Sequence, residues 1–478
     1  MTLTSPYLAG GLLAVLAAVT SVHALMYKRD PKGAFGWIAV CLLLPLGGPI
    51  LYLLFGLNRS RVRARRLGLD SLSIGFERGQ LIARSNPLPE HIAPEHRGLA
   101  QIGQALSRYP LVDGNHVQCL KNGEEAFPAM LEAIDSARHE VLLSTYLFDH
   151  DAIGLRFVDA LERAQQRGVD CRVLIDGVGD WYSLRRSSRA LRRRGIPVCR
   201  FLPPRLIPPC LSINLRSHHK ILLADQTMGF TGGMNISQRH CIGDPGHHRP
   251  TADLHFALRG PVLGQLRSAF QRSWEAAGGQ PVLVDPPASG ETTVAGRSLC
   301  RTITDGPYED LDRLNMLLCA ALAEARQRVC IMTPYFLPGR DLITALQAAV
   351  IRGVQVDIVL PAENNLRFVH WATRNLLWEV LFYGARVFYQ PPPFNHGKLF
   401  TVDADYALIG SANLDPRSLR LNFELQVEIY DQQEVGPLIR QIDERIDAGR
   451  PVTLEEVDSR SLPVRFRDSL CWLFKPYL

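Results

Sequence analysis

The sequence predicts an α/β protein made of two similar α/β/α halves, preceded by a hairpin of two membrane-crossing segments. Three observations predict it. Two long apolar runs open the chain, a strand–helix–strand pattern occurs twice in the remainder, and each copy is followed by the same histidine–lysine motif.

The apolar runs come first. Tyr7 to Tyr27 extends for 21 residues, and Ala34 to Gly56 for 23, without Asp, Glu, Lys or Arg. Each is long enough to cross a bilayer core as a helix. A cleaved leader fits less well, because no basic residue precedes the first run and the second follows at once. Pro45, Gly47, Gly48 and Pro49 predict a kink or a re-entrant turn in the second run. Lys28, Arg29 and Lys32 lie between the runs, whereas Arg59, Arg61, Arg63, Arg65 and Arg66 follow the second. Five against three predicts a cytoplasmic body, with the N-terminus on the same side.

The formal charge of +6 is unevenly placed: residues 1–66 carry +7 and the other 412 residues sum to −1. A near-neutral body argues against a nucleic-acid partner, which would call for cations on the folded domain. Cations beside apolar segments instead suit anionic lipid head groups. The 10 cysteines include no CxxC pair and no zinc-spaced cluster, and read as free thiols of a reducing compartment. His240, His247, His248 and His255 match no ligand spacing, so no metal and no cofactor is expected.

The repeat follows. Ala137-Arg138 leads into an apolar strand from Val141 to Tyr146. Phe157, Leu161 and Ala164 then recur at i, i+4 and i+7, Gly168 caps the helix, and Cys171 to Ile175 forms the next strand. Ala325-Arg326 opens the second copy, with a strand from Val329 to Tyr335. Leu342, Leu346 and Ala349 repeat the stripe, Gly353 the cap, and Val356 to Leu360 the strand. Strand–helix–strand units of this kind read as βαβ.

Each unit is followed by H-x-K-x4-D-x6-G-[GS]-x-N. The copies are His218, Lys220, Asp225 and Gly232 to Asn235, then His396, Lys398, Asp403 and Gly410 to Asn413, 178 residues later. Average residue frequencies give this pattern about once in 10⁷ positions, so two chance copies are not credible. Residues two apart on a strand share a face, so His218 points with Lys220 and His396 with Lys398. The four join the catalytic candidates together with Asp225 and Asp403. The aspartates stand at odd offsets, on the other face, and read as holding the motif's backbone. Asn235 and Asn413 follow small residues, where backbone approaches an anion closely, and are candidates to bind phosphate with the lysines.

Two histidines, two lysines and two asparagines suit a phosphodiester. Ammonium and amide groups hold the non-bridging oxygens, one imidazole attacks phosphorus, and the other protonates the leaving oxygen. One motif supplies one histidine, which explains why there are two. Imidazoles also need a partner to fix their tautomer. The first half offers Asp253, 35 residues after His218, and the second offers Glu424, 28 residues after His396.

The paired motifs resemble those of the phospholipase D superfamily. Within it the chain looks like the bacterial cardiolipin synthases, through Lys28-Arg29-Asp30-Pro31, Thr333-Pro334-Tyr335-Phe336, Gly410 through Leu419, and Asn422-Phe423-Glu424. The resemblance implies two phospholipase D-like halves related by a pseudo-two-fold axis. It implies a metal-free, two-step transfer through a phosphatidyl-histidine on the first-half histidine, with Asp253 and Glu424 paired to the histidines. It further implies phosphatidylglycerol as donor and acceptor, cardiolipin and glycerol as products, and a bacterial inner-membrane location. A hydrolase, a transferase with another phospholipid donor, and a nucleic-acid phosphodiesterase share the motif and remain alternatives. Gly233 stands where serine is the commoner choice, which removes one hydroxyl donor to phosphate.

The expected divisions are membrane segments over 1–57, a basic linker over 58–110, halves over 111–285 and 286–460, and an amphipathic tail over 461–478. Leu202 to Leu215 and Leu462 to Leu478 mix apolar and basic or proline residues, and read either as lipid contacts or as ordinary packing. Trp371 and Trp378 read as core.

Overall fold

The computed structural model describes residues 4–28, 31–56, 87–90, 92–182, 185–204, 215–244, 249–281, 294–307 and 312–475. They belong to two units, Met1–Arg66 and Leu67–Leu478. The arginines from Arg59 to Arg66, most of the Leu202 to Leu215 stretch, and His247 with His248 lie outside the described residues.

In the first unit, α1 (Thr4–Tyr27) has 24 residues, about 36 Å of helix against a bilayer core of roughly 30 Å. Its stretch Gly10–Tyr27 is, among the described residues, the one long and apolar enough to span. The second run does not form a single span. α2 (Pro31–Leu43) stops after 13 residues, and after a turn come α3 (Gly47–Leu51) and a π-helical turn, Tyr52–Gly56. A Cβ at Gly48 would lie 2.3 Å from the Val40 carbonyl oxygen, so the backbone folds back against α2 there. Pro45 and Pro49 lack the N–H groups that a continuous helix needs. Of the two expected membrane segments, the first is a helix long enough to span and the second is broken, as its prolines and glycines predict.

The second unit is built on one 15-stranded sheet. The first half contributes β1 (Val112–Lys121), β2 (Glu140–Thr145), β3 (Asp170–Asp176), β4 (Val198–Phe201), β5 (Ile221–Ala224), β6 (Met228–Gly232) and β8 (Leu254–Arg259). The second contributes β9 (Ser298–Asp305), β10 (Arg328–Met332), β11 (Gln355–Pro361), β12 (Arg386–Gln390), β14 (Leu399–Val402), β15 (Tyr406–Gly410), β16 (Glu424–Tyr430) and β17 (Arg450–Val452). Two short strands, β7 (Thr251–Ala252) and β13 (Phe394–Asn395), form a separate pair. The order β17-β12-β11-β10-β14-β15-β16-β9-β1-β8-β6-β5-β2-β3-β4 reads alike outward from the β9–β1 seam, β17 excepted. That symmetry is the pseudo-two-fold axis.

Three apolar layers enclose the sheet. One, under the first half's outer face, holds the Phe157, Leu161 and Ala164 stripe of α5 (Ala152–Gln166). A second holds the Leu342, Leu346 and Ala349 stripe of α6 (Arg340–Ile351). The third covers the opposite face and draws residues from both halves, such as Leu142 and Phe256 with Val359 and Leu425. The shared layer and the seam make the halves one compact body.

Two expectations are corrected here. Residues assigned to the linker include α4 (Arg97–Leu106), whose Leu99 and Ala100 are buried in the second half's core. The Ala100 carbonyl and Gln104 Oε1 accept from the buried Arg301, at 3.1 and 3.2 Å. In the tail, α9 (Leu462–Leu473) packs on α7 (Arg367–Leu376). Beyond α7, α8 (Trp378–Leu381) leaves Trp378 47% exposed, so Trp378 is not core.

Candidate functional site

The two motifs sit where chain enters the sheet. His218 and Lys220 immediately precede β5, and His396 and Lys398 immediately precede β14. Both lysines fold back on their own histidine: Lys220 Nζ donates to the His218 carbonyl at 2.9 Å, and Lys398 Nζ donates to the His396 carbonyl. All four side chains are largely buried.

Each motif is stitched to the opposite half. Ser217 bridges to Phe423, and the His218 N–H donates to the Phe423 carbonyl at 2.9 Å. In the other half β13 pairs in parallel with β7, and the His396 N–H donates to the Ala252 carbonyl at 2.7 Å. Phe423 precedes Glu424 and Ala252 precedes Asp253, so each histidine meets the carboxylate of the other half. His218 Nδ1 lies 2.9 Å from Glu424 Oε2, and His396 Nδ1 lies 2.9 Å from Asp253 Oδ2. The sequence reading offered both carboxylates without assigning either to a particular histidine; here each meets the histidine of the other half. A parallel pairing over two residues leaves little trace in a sequence.

The carboxylates fix the tautomer. A carboxylate only accepts, so Nδ1 of each imidazole carries the proton and Nε2 is left for chemistry. Lys398 Nζ also comes within 3.0 Å of His396 Nδ1. That nitrogen already donates to Asp253, so the approach is a charge pressing on the ring rather than a hydrogen bond. Burial, and then Lys398, push the His396 pKa down; burial pushes His218 down against the pull of Glu424. Burial would raise both carboxyls, but the histidines and lysines hold them below the ordinary range. Burial lowers Lys220 to about 7 and Lys398 to about 8, the nearby carboxylates opposing it.

Asp225 and Asp403 stand apart from this centre. Each occupies a hairpin turn with φ near +50°, a conformation aspartate tolerates. The Asp225 carboxylate accepts from the N–H groups of Arg138, His139 and Glu140, at 2.6, 2.7 and 2.9 Å. Asp403 does the same for Arg326, Gln327 and Arg328. They clamp the start of β2 and β10 and touch no reacting group. Both are therefore corrected from catalytic candidates to residues that hold the motif's backbone.

Asn235 Oδ1 accepts from the Leu147 N–H at 3.2 Å, leaving its NH2 as the donor toward a ligand. Asn413 Nδ2 donates to Ser418 Oγ at 3.2 Å, and its Oδ1 is buried without a hydrogen-bond partner. A half-turn of that amide would let it accept from Ser418 and present its NH2 as Asn235 does.

Gly233 and Ser411 do not act as the sequence suggests. Ser411 Oγ donates to Glu424 Oε2 at 2.5 Å, steadying the carboxylate rather than a phosphate. Asn422 Nδ2 adds a second donor at 3.0 Å. At Gly233 an added Cβ would lie 2.1 Å from Asp253 Oδ1. Aspartate is one methylene shorter than glutamate and its carboxylate rests directly over residue 233, so only glycine fits.

Other site residues escaped the sequence reading. Tyr146 presents its ring to His218 at 5.4 Å, and Tyr335 to His396 at 6.2 Å. Both stand just past the first strand of their βαβ unit, and that repeated position was the available signal. Arg216 and Asp176, both fully buried, pair at 3.1 Å beneath the first motif. Asp176 also accepts from the Ser217 N–H at 2.9 Å. Of the histidines considered for metal, His240 and His255 are buried; His240 Nδ1 lies 3.2 Å from the Thr251 carbonyl.

The profile described as "Cardiolipin synthase, PLD-like domain" matches residues 130–274 and 318–447, and "Phospholipase_D-nuclease N-terminal" matches 15–56. A cardiolipin synthase of Geobacillus thermodenitrificans is 30% identical over 494 residues, covering 100% of this chain and 97% of that one. Cardiolipin synthase A of Pseudomonas putida (strain GB-1) is 32% identical over 460 residues, 95% of each chain. The crystal structure of a phosphatidylserine synthase from Haemophilus influenzae Rd KW20 shares the fold. It has a TM-score of 0.59 and 16% identity, over 81% of this chain and 100% of that one.

Proposed function

The chain belongs to the cardiolipin synthase family of phospholipase D-like phosphatidyltransferases, and from that premise we propose that its exchanged histidine–carboxylate pairs move a phosphatidyl group between two phosphatidylglycerol molecules. The observation that carries the reading is the contact of each imidazole, through Nδ1, with a carboxylate of the other half, which leaves the Nε2 of both for phosphorus.

Burial presses both imidazoles toward the neutral form. The phosphodiester anion enters between Lys220, Lys398 and the NH2 groups of Asn235 and Asn413, which neutralise its non-bridging oxygens. Its charge, added to that of Asp253, draws a proton onto His396 Nε2. His218 Nε2 attacks phosphorus, the bond to the head-group oxygen breaks, and His396 gives that oxygen its proton; glycerol departs. The hydroxyl of the second phosphatidylglycerol then yields its proton to His396 and attacks phosphorus. The P–N bond breaks, cardiolipin leaves and His218 is restored. The resemblance assigns the attack to the first-half histidine. One phosphodiester bond is exchanged for another, so no nucleotide is consumed, and the lysines and amides supply the charge a metal would.

The protein is a membrane-associated bacterial enzyme with phospholipid substrates. Its N-terminal segments form the anchor, and the basic residues after them favour a cytoplasmic body. A near-neutral body disfavours nucleic acid. A reporter at the C-terminus that is active only outside the cytoplasm would overturn this orientation.

Purified enzyme with phosphatidylglycerol vesicles should yield cardiolipin and glycerol, by chromatography of the lipids and assay of free glycerol. Phosphatidic acid alone would mean that water resolves the intermediate, and the reading would become a hydrolase. His218→Ala and His396→Ala should each abolish turnover, while a chelator leaves it unchanged. Retained activity in either mutant would sink the two-histidine mechanism.

A further inference from the structure

We infer that the outward face of α9, with the adjoining α7 and α8, rests on an anionic phospholipid surface beside the His396 side of the site. The helix is turned inside out. Leu462, Phe466, Leu470, Leu473 and Phe474, spaced i, i+4, i+8, i+11 and i+12, are 77%, 72%, 46%, 65% and 55% exposed. That spacing is a single stripe along a helix. The one acid of α9, Asp468, is fully buried instead. A surface helix in water does the reverse.

The orientation is enforced by the body. Asp468 accepts from Arg460 and Arg467, both at 2.6 Å, and Arg374 lies 3.6 Å away. The Arg467 guanidinium lies 4.3 Å over the Trp371 ring. Lys475 Nζ donates to the Pro338 carbonyl at 2.6 Å. With Asp468 and Arg467 clasped, the helix shows its apolar stripe, with Arg465 beside it. Phe368, at the start of α7, and Phe382, just after α8, are each 64% exposed and widen the stripe into a ledge. This ledge adjoins the site: residues of α7 and α9 pack around Tyr335 and Phe394, whose rings lie 6.2 and 6.1 Å from that of His396.

Charge identifies the occupant. Arg367 and Arg465 are exposed on these helices, α7 has no acid, the acid of α9 is enclosed, and the acid of α8, Glu379, is 12% exposed and paired with Arg340. A second copy docking on the same face by two-fold symmetry would set arginines against arginines. An anionic head-group layer takes the cations, and its acyl boundary takes the phenylalanines. The choice of lipid rests on the phospholipid reading of the site; the surface itself does not.

The test uses the full chain reconstituted in phosphatidylglycerol vesicles, with a photoreactive benzoylphenylalanine at position 466. The comparison position is Ile351, 70% exposed at the far end of α6, away from the site. Irradiation should join residue 466, and not 351, to phospholipid. Adducts with a second chain, or none with lipid, would overturn the inference. Separately, the double variant Phe466→Glu, Leu473→Glu should turn over vesicle phosphatidylglycerol at least tenfold more slowly, yet a water-soluble short-chain analogue at the unaltered rate. Equal rates on vesicles would also overturn it. Were the unaltered enzyme to act on neither lipid, the reaction would be misread, while the adduct would still report the docked face.

Discussion

Gly233 and Ser411 occupy one position of a doubled motif and do opposite things. Ser411 donates to a long carboxylate, and Gly233 makes room for a short one. Gly233→Ser should therefore lower turnover about 10–100-fold, from the roughly 1–3 kcal/mol that overpacking costs. Gly233→Ala should do the same, because the clash lies at Cβ. A gain in activity with serine would restore the hydroxyl-donor reading. The lysines make the site sensitive to pH. Lys220 and Lys398, lowered to about 7 and 8, lose their charge as pH rises through those values. Donor kcat/KM, which reports the free enzyme, should fall more steeply above pH 7–8, adding to the decline set by the proton that His396 takes up with substrate. Since both histidines are pushed down, it should show no acid limb near the ordinary histidine value of about 6.5. Asp253→Asn should cost on the order of 10²–10⁴ in kcat, by analogy with other imidazole-orienting carboxylates. It should also shift the alkaline limb to lower pH, because Asp253 helps Lys398 keep its proton. A loss of rate with an unmoved limb would make Asp253 merely structural. The six motif residues nearest the chemistry were legible because a short strand fixes their spacing. Their carboxylate partners were legible as candidates only, since the pairing spans 206 and 143 residues.

Helices were read with mixed success, for a physical reason. The stripes of α5 and α6 are internal to βαβ units, so their periodicity reports the sheet they cover. α4 gave no such signal: it serves a core assembled far downstream, through Leu99 and Ala100. The second apolar run was read correctly in its prolines and glycines, but hydropathy alone does not show that the backbone turns back at Gly48. Of the two readings of the tail, packing is what α9 shows on its polar side, while its apolar side is exposed. Asp468→Ala should strand Arg460 and Arg467 against the body and release the helix. Breaking a buried ion pair costs about 3–5 kcal/mol. With Arg467 36% and Arg374 30% exposed, about 2–3 kcal/mol is expected instead. Limited proteolysis after Val452 measures it; unchanged protection of the tail would refute the clasp.

Across the whole molecule, the symmetric strand order and the exchanged carboxylates make the halves interdependent. The repeat was visible in sequence, and so was its α/β character. The continuity of the sheet was not, because the β9–β1 seam pairs residues such as Val112 and Cys300 that carry no repeat signal. A chain cut between residues 281 and 294 should give two fragments that are each inactive, since neither holds a histidine with its carboxylate. Co-expression should restore cardiolipin formation through the seam and the shared core. Turnover by either fragment alone would contradict the exchange.

The exchange has a further consequence during synthesis. The ribosome releases His218 first, and Glu424 follows 206 residues later. At about 5–20 residues per second, that is a gap of roughly 10–40 s. The N-terminal apolar segments are made before either residue. Throughout the gap the first imidazole lacks its carboxylate, and until His396 is made, 178 residues after His218, it lacks the second histidine as well. Lipid is safe from a half-made enzyme because the chemistry is withheld until translation is nearly complete.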